Sequence, residues 1–434
     1  MTQPSSQESP ADSVRDFDII VFGATSFVGQ LTTQYLAENH PELSIAVAGR
    51  NESKLQELVS ATDIALPILV ADASNIDEMR ELASRSTVLI STVGPYTYYG
   101  DKVVEACVEN GTHYVDLCGE ALFIRRNIDT WHERAQQTGA KIVHSCGFDS
   151  VPSDMGMFHL HDTAQTAFSE VTMAVEHLAG GLSGGTIDSM RAVSADAKKM
   201  EKGGAILHSP YTLSPDHKNE PDLGEQKDMD VSFDPLARQW TGPFFMAMFN
   251  TRIVRRSNTL SEYAYGDKLR YREAITAGTG LSGRIKANAL FAVTAVGFAA
   301  VMNKRMARFL PKPGDGPKKL DEGGFSITHY GLTESGALHT ATVTAQGDPG
   351  YRVTSMMLSE AAVFLATKPA GLPDVSGGIL TPATALGAPY RDALHAHGMK
   401  FSLTARYGKQ YRFVYLYSFS ASRFRNRHGR CHTF

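Results

Sequence analysis

From residue 16 to about residue 150 the chain alternates short apolar runs with amphipathic stretches of helical period. The runs FDIIVF (17–22), LSIAVA (43–48), LPILVA (66–71), TVLIS (87–91), HYVDL (113–117) and KIVHS (141–145) read as buried strands. Between the first two, Val28, Leu31, Thr32, Tyr35 and Leu36 recur at i, i+3, i+4, i+7 and i+8, which predicts a helix. Strands alternating with helices at this spacing build right-handed βαβ units and a doubly wound parallel sheet of Rossmann type.

After Val151 the pattern changes. EVTMAVEHL (170–178) and HTATVTAQG (339–347) alternate apolar and polar positions, as in an antiparallel sheet with one wet face. Connectors such as PKPGDGPKK (311–319) separate them, and a helical stretch, SMMLSEAAVFLAT (355–367), precedes a return segment, GGILTPATAL (377–386). The expected division is a disordered leader at 1–15, a Rossmann domain at 16–150 and an α+β, mostly antiparallel substrate domain at 151–350. A segment at 351–403 is expected to return to the first domain, and 404–434 forms a basic, aromatic tail without acidic residues. That tail reads as a poorly ordered appendage rather than an arm for lipid or nucleic acid.

Composition narrows the class. A chain of 434 residues suits two domains, and 42% hydrophobic with 20% charged residues suits a soluble protein. A net charge of −4 gives no reason to expect a nucleic-acid partner. The four cysteines show no CxxC pair and no metal-ligand spacing, so they read as reduced thiols in the cytoplasm. The leader is polar and carries no signal-peptide core.

The first chemical motif follows the first strand. Gly23, Ala24, Thr25, Ser26, Phe27, Val28 and Gly29 join that strand to its helix, the context in which a glycine-rich loop holds a dinucleotide pyrophosphate. Gly23 makes the turn, Gly29 lets helix and strand approach, and the helix N-terminus offers free N–H groups. Ser26 stands where a middle glycine is usual; its hydroxyl is small enough to fit and able to donate to a phosphate oxygen. At the tip of the second strand, Arg50 and Lys54 replace the acidic residue that would bind a ribose 2′-hydroxyl, which points to the 2′-phosphate of NADP(H). The plainer reading makes both of them solvated surface charges. Asp72, after the third strand, is expected near the adenine; Val93, Gly94 and Pro95, after the fourth, near the nicotinamide ribose. Tyr98 and Lys102 match YxxxK, but on the connection after strand four, too early for a short-chain dehydrogenase pair.

In series, GATSFVG, AGRNESKL, STVGPYTYYG, YVDLCGE, CGFDSVPSD, SGGT (183–186) and LTPAT resemble the saccharopine dehydrogenase-like family. The likeness covers roughly residues 17 to 403. The branch it most resembles is the actinobacterial trans-acting enoyl reductases of polyketide-derived lipids. Ser26 departs from the family's glycine, and the tail matches nothing in it. The resemblance implies hydride delivery to the β-carbon of an unsaturated acyl or ketide thioester on a carrier protein or megasynthase. Such a reaction also needs a proton donor for the α-carbon.

Candidate donors are the phenols of Tyr96, Tyr98 and Tyr99 and the carboxyl of Asp149. Asp116, Cys118 and Glu120, after the fifth strand, point to the same crevice, Cys118 being placed beside the cofactor. For each the plain alternative is a helix cap, a turn or buried filler. GGLSGGTIDSM (180–190) is either an anion cradle or a flexible turn. ANALFAVTAVGFAAVM (287–302) is apolar almost all round and shorter than the ~20 residues of a membrane span. It reads first as a buried core or homodimer-interface helix, and second as a peripheral contact with the inner face of the plasma membrane, flanked by Arg284, Lys286, Lys304, Arg305 and Arg308. Two rival functions stay open. One is saccharopine-like C–N chemistry with a carboxylate clamp from Arg252, Arg255, Arg256, Arg270 and Arg272. The other is a non-catalytic NADP-binding protein at lipid surfaces.

Overall fold

A computed structural model describes residues 15–61, 65–180, 184–200, 203–216, 219–303, 305–306, 316–317 and 319–406. Strands β1 (Phe17–Phe22), β2 (Ile45–Gly49), β3 (Ile68–Val70), β4 (Ser86–Ser91), β5 (His113–Asp116) and β6 (Lys141–Val143) lie in the order β6-β5-β4-β1-β2-β3, every pair parallel. Helices α1 (Phe27–Asn39), α2 (Glu52–Ala61), α3 (Ile76–Ser84), α4 (Tyr96–Tyr99), α5 (Asp101–Glu109) and α6 (Ala121–Thr138) lie in the connections. All five residues of β2 and the last four of β1 are buried. Helices cover both faces of this sheet, so polar alternation is lost.

Helix α7 (Val151–Ala164) leads into the second sheet. Its elements are β7 (Glu170–Ala179), α8 (Gly184–Lys199), α9 (Gly203–His208), β8 (Ser232–Asp234), β9 (Gln239–Pro243), α10 (Ala247–Leu260), β10 (Arg270–Gly278), α11 (Gly280–Met302), β11 (Gly324–Leu332) and β12 (Leu338–Gln346). A π-helical turn, Pro349–Val353, then opens α12 (Thr354–Thr367), followed by β13 (Gly378–Leu380), α13 (Pro382–Ala396) and β14 (Lys400–Arg406). The second sheet runs β14-β12-β11-β7-β10-β9-β8, and only β7 and β10 pair in parallel.

The chain beyond residue 350 serves both sheets. β13 pairs in parallel with β6 as the seventh strand of the first sheet, whereas β14 pairs antiparallel with β12 in the second. β14 runs to Arg406, past the boundary expected at 404; residues 407–434 lie outside the described residues. At the other end, Arg15, counted with the leader by its sequence, donates to the carbonyls of Ser84 and Asn110 at 2.6 Å each. Residues 1–14 lie outside the described residues.

Local chemistry explains several boundaries. α6 stops at Gly139, whose φ of +78° is the left-handed geometry that terminates a helix without a Cβ clash. α13 begins with a reciprocal cap between Thr381 and Thr384, with Pro382 in its first turn.

Helix α12 joins the two halves. Eleven of its fourteen residues are buried; it lies against β1, β4, β5 and α1 on one side and α13 on another. One apolar cluster therefore runs from Ile19, Val21, Val88 and Ile90 through Met357, Leu358 and Ala361 to Met173, Phe325 and Val343 of the second sheet. The far face of the first sheet, with Ile20, Phe22, Leu89 and Tyr114, has a separate cluster.

Contact between α7 and the second sheet depends on Gly156. A Cβ there would stand 2.2 Å from the His329 ring, and His329 hydrogen-bonds the Ser153 carbonyl at 3.2 Å. Burial lowers the His329 pKa to about 3, so the ring is neutral. We expect Gly156→Ala to destabilise the fold by about 1–3 kcal/mol through overpacking. A lower urea midpoint with unchanged slope would show it.

Candidate functional site

The loop between β1 and α1 is built around two contacts that exclude a side chain. Gly23 has φ +85°, and a Cβ there would meet Thr92 Oγ1 and Val93 Cγ2 at 2.7 Å. A Cβ on Gly29 would lie 2.4 Å from the Gly23 carbonyl oxygen. Between them Ser26 caps α1, its Oγ accepting from the Gly29 N–H at 2.9 Å. Thr92 donates to the Gly23 carbonyl at 2.9 Å, which leaves Ser26 to donate to Thr92, also at 2.9 Å. The Ser26 hydroxyl expected to reach a phosphate is thus engaged as a cap and a bridge to the next loop. Thr92, at the head of the loop after β4, completes that bridge.

No described residue accepts from the N–H groups of Thr25, Phe27 or Val28. Half-buried at a helix N-terminus, these amides fit an anion. Ala24 is buried and donates to the Ala48 carbonyl at 3.3 Å. Phe27 meets Tyr351 edge to face, 5.0 Å between centroids, which ties the loop to the π-helical turn.

At the end of β2, Asn51 Oδ1 accepts from the Lys54 N–H at 3.0 Å and starts α2. The Arg50 and Lys54 side chains are exposed and have no hydrogen-bond or ion-pair partner among the described residues. Asp72 accepts from the Ser74 N–H at 2.8 Å. That bond, and then the fields of Arg50 and Lys102, hold its carboxyl below the usual range. Lys102 donates to the Ser74 carbonyl at 2.5 Å, so it braces a turn and forms no pair with Tyr98.

The loops after β4 and β5 are locked together by buried polar groups. The Tyr96 hydroxyl donates to the Ser91 carbonyl at 3.1 Å and accepts from the Leu117 N–H at 3.2 Å. Burial raises its pKa well above the phenol range. Tyr96 is therefore a staple and not an available acid, contrary to its expected role. Glu120, fully buried, accepts from the N–H groups of Tyr96 (2.9 Å) and Thr97 (2.7 Å) and from Ser189 of α8 (2.7 Å). It holds the start of α4 and docks α8 upon it. Asp116 accepts from the N–H groups of Cys118 and Ser145 at 2.9 Å each and pairs with His144 at 2.7 Å. Cys118 is also buried: its sulfur accepts from the Glu120 N–H at 3.3 Å, and burial pushes the thiol pKa well up. The side chain of Cys118, expected beside the cofactor, points into the core, while Leu117 and Gly119 carry the turn's accessible surface.

What stays open at this edge is short. Tyr98 and Tyr99, 55% and 40% exposed, stand edge to face with centroids 6.4 Å apart. Gly94 is exposed, with Val93 and Pro95 half-buried beside it. Asp149 is half-buried, its Oδ2 3.9 Å from where a Cβ on Gly119 would stand, and no described residue hydrogen-bonds its carboxyl. Burial raises that carboxyl to about 6. Two other carboxyls are raised in the same way, Asp154 to about 6 and Glu273 to about 7. Both lie inside the core with partners: Asp154 accepts from Ser257 and the Ala383 N–H, Glu273 from Tyr271 and Asn250. Asp149 alone of the three is reachable and unpartnered among the described residues.

Four of the five arginines that could form a carboxylate clamp are engaged elsewhere. Arg252 pairs with Asp228, and Arg272 with Asp230 and Asp234. Arg255 donates to Gln226 and the Tyr271 carbonyl, Arg256 to the carbonyls of Leu213 and Ile379. Of GGLSGGTIDSM, residues 181–183 lie outside the described residues, and α8 starts at Gly184.

A family profile described as the saccharopine dehydrogenase NADP binding domain matches residues 19–143, the stretch from β1 to β6. A putative trans-acting enoyl reductase of Mycobacterium tuberculosis is 39% identical over 411 residues, spanning 90% of this chain and 98% of that protein. The chain belongs to the trans-acting enoyl reductase branch of the saccharopine dehydrogenase-like NADP-binding oxidoreductases. A trans-acting enoyl reductase of Mycobacterium ulcerans is 37% identical over 418 residues, spanning 90% of this chain and 98% of that one. Among solved structures, saccharopine dehydrogenase (L-Glu forming) of Saccharomyces cerevisiae aligns over 90% of this chain and all of its own, at 12% identity and a TM-score of 0.49. In this family setting the free amides after Gly23 and the unpaired Arg50 and Lys54 fit a phosphorylated dinucleotide.

The strained ionisation of Asp149 has a measurable sign. Its folded pKa of about 6 lies above the free value of ~3.9, so the fold is most stable with the proton on and loses that increment as pH rises through 6. The neutral isostere escapes the loss, on the order of 3 kcal/mol. Asp149→Asn should raise the melting temperature over wild type at pH 8 and leave it unchanged at pH 4. An equal effect at both values would remove the assignment.

Proposed function

We propose that this oxidoreductase reduces the carbon–carbon double bond of an α,β-unsaturated acyl thioester of polyketide or fatty-acyl type, presented by a carrier protein or megasynthase. The names of its relatives support the reaction class. The observation that carries the mechanism is Asp149: a carboxyl with no partner among the described residues, raised to about 6, at the carboxyl ends of β5 and β6. Ligands of open α/β sheets bind at that edge.

NADPH, when bound, supplies the hydride for the β-carbon. The N–H groups of Thr25, Phe27 and Val28 hold its pyrophosphate, with Gly23 and Gly29 setting their approach. Arg50 and Lys54 take the 2′-phosphate, and the Arg50 fork adds geometric selectivity. Asp72, held ionised by its turn, sits at the adenine side, and Val93, Gly94 and Pro95 floor the nicotinamide half. Asp149 delivers the proton to the α-carbon as negative charge develops there. Tyr98 and Tyr99 line the acyl entrance and exclude water. A dehydrogenase acting on a dicarboxylic amino acid would need several free cations at this edge; the engaged arginines argue against that reading.

Two measurements test this. Arg50→Ala should weaken NADPH binding about 10- to 100-fold while changing NADH little, the loss expected for a charged hydrogen-bonded pair; equal losses would remove the 2′-phosphate assignment. With an enoyl thioester, deuteride from labelled NADPH should appear at the β-carbon and solvent deuterium at the α-carbon. The rate should fall as pH rises above about 6, because the acid must carry its proton. Asp149→Asn should bind NADPH normally yet turn over at least about 100-fold slower. Full turnover by that variant, or turnover of saccharopine instead, would overturn the mechanism.

A further inference from the structure

Helix α11 is the least buried apolar element of the described chain. It is 23 residues long with a mean hydropathy of 1.7 over its best window, yet only 11% of that window is buried. The buried-core reading of this stretch is therefore wrong. Its contact with the protein is one narrow stripe, with Gly283, Ala287, Leu290, Thr294 and Val301 facing inward. Leu290 and the Ala287 carbonyl meet Gly242 of β9, and Arg191 of α8 donates to the Val301 carbonyl at 2.8 Å. The helix is thus fastened along its length to the flank of the second sheet and does not project from it.

The remaining surface is apolar over most of the circumference. Leu281, Ile285, Phe291, Val293, Val296 and Phe298 are 44–73% exposed. On an ideal helical wheel they cover about 220°. From Ala289 to Met302 the only polar side chain is Thr294, which faces the protein. A second copy of the chain would cover one face of such a helix and leave the other apolar surface in water. A fluid apolar medium covers all of it.

Charge identifies the medium further. Between residues 274 and 314 there is no acidic residue; in sequence, Arg284 and Lys286 precede the apolar stretch and Arg305 follows it, as do Lys304, Arg308 and Lys312, which lie outside the described residues. The chain as a whole is acidic, at −4. Arg284 lies over the Trp240 ring, 5.5 Å from its centroid, and that cation–aromatic pair sits beside the first turn of α11. Cations and an indole flanking an exposed apolar helix are the composition of a lipid headgroup boundary.

We propose that α11 lies in the surface of an anionic lipid bilayer, its apolar arc among the acyl chains and its flanking cations on the phosphates. The inference stands whether or not the reductase mechanism does.

Flotation of the full chain with vesicles of roughly equal phosphatidylcholine and phosphatidylglycerol, at physiological ionic strength, tests it. Wild type should float with these vesicles and much less with phosphatidylcholine alone. The double variant Phe291→Glu, Val296→Glu should lose binding by about tenfold or more. Both positions are exposed, so NADPH affinity and the melting temperature should stay at wild-type values and report an intact fold. Three results would overturn the proposal. The first is no flotation of wild type with anionic vesicles. The second is equal flotation of the variant, which would place binding in the basic tail. The third is a solution dimer that the substitutions dissociate, without vesicle binding, which would make a second copy the occupant.

Discussion

Helix α1 meets strand β1 across a gap with no room for one more carbon atom. The Gly23 carbonyl occupies the place of a Gly29 side chain, and the Thr92 and Val93 side chains occupy that of Gly23. This contact aims the first-turn amides of α1 past the end of the sheet, where nothing in the described protein accepts from them. Ser26 fits because a serine at this point can cap the helix. Its hydroxyl accepts from Gly29 and binds Thr92, so the substitution that looks like a defect in a glycine-rich loop ties two loops together.

The neighbouring strand ends show the complementary device. Asp116, Glu120, Tyr96, Ser145 and His144 all lie at the carboxyl edge, and all are satisfied by one another or by backbone groups. A buried polar network of this kind rigidifies what it joins, because leaving any member unpaired costs more than the pair contributes. The groups left free, Asp149 with Tyr98 and Tyr99, stand out against it. Asp149 is set apart less by its perturbed pKa than by its lack of partners among the described residues, since Asp154 and Glu273 are perturbed as much and are held by hydrogen bonds in the core.

Two helices with the same apolar texture meet opposite fates. α12 and α11 are both apolar around most of their circumference. α12 is enclosed between α1, α13 and the first sheet, and carries one core through both halves of the molecule. α11 is held by a single stripe against β9, β10 and α8, and its other faces are exposed. Hydrophobicity gave both a reason to leave water; only the position of the sheets decided which was enclosed by protein.

The residue pattern alone was enough for the parallel sheet, because strands buried on both faces and helices of one period have few ways to pack. It was enough, too, for the loop from Gly23 to Gly29 and for the absence of an acidic residue at the tip of β2, since both are local in the chain. It could not separate Tyr96 from Tyr98 and Tyr99, which share one helical turn and differ only in which way that turn faces. Nor could it tell that the Cys118 side chain enters the core, that Arg252, Arg255, Arg256 and Arg272 are engaged, or that β14 crosses back to the second sheet. Those outcomes depend on partners distant in sequence, such as Ser189 for Glu120 and Ile379 for Arg256. Burial and hydrogen-bond pairing are properties of the assembled chain; period and turn chemistry belong to its segments.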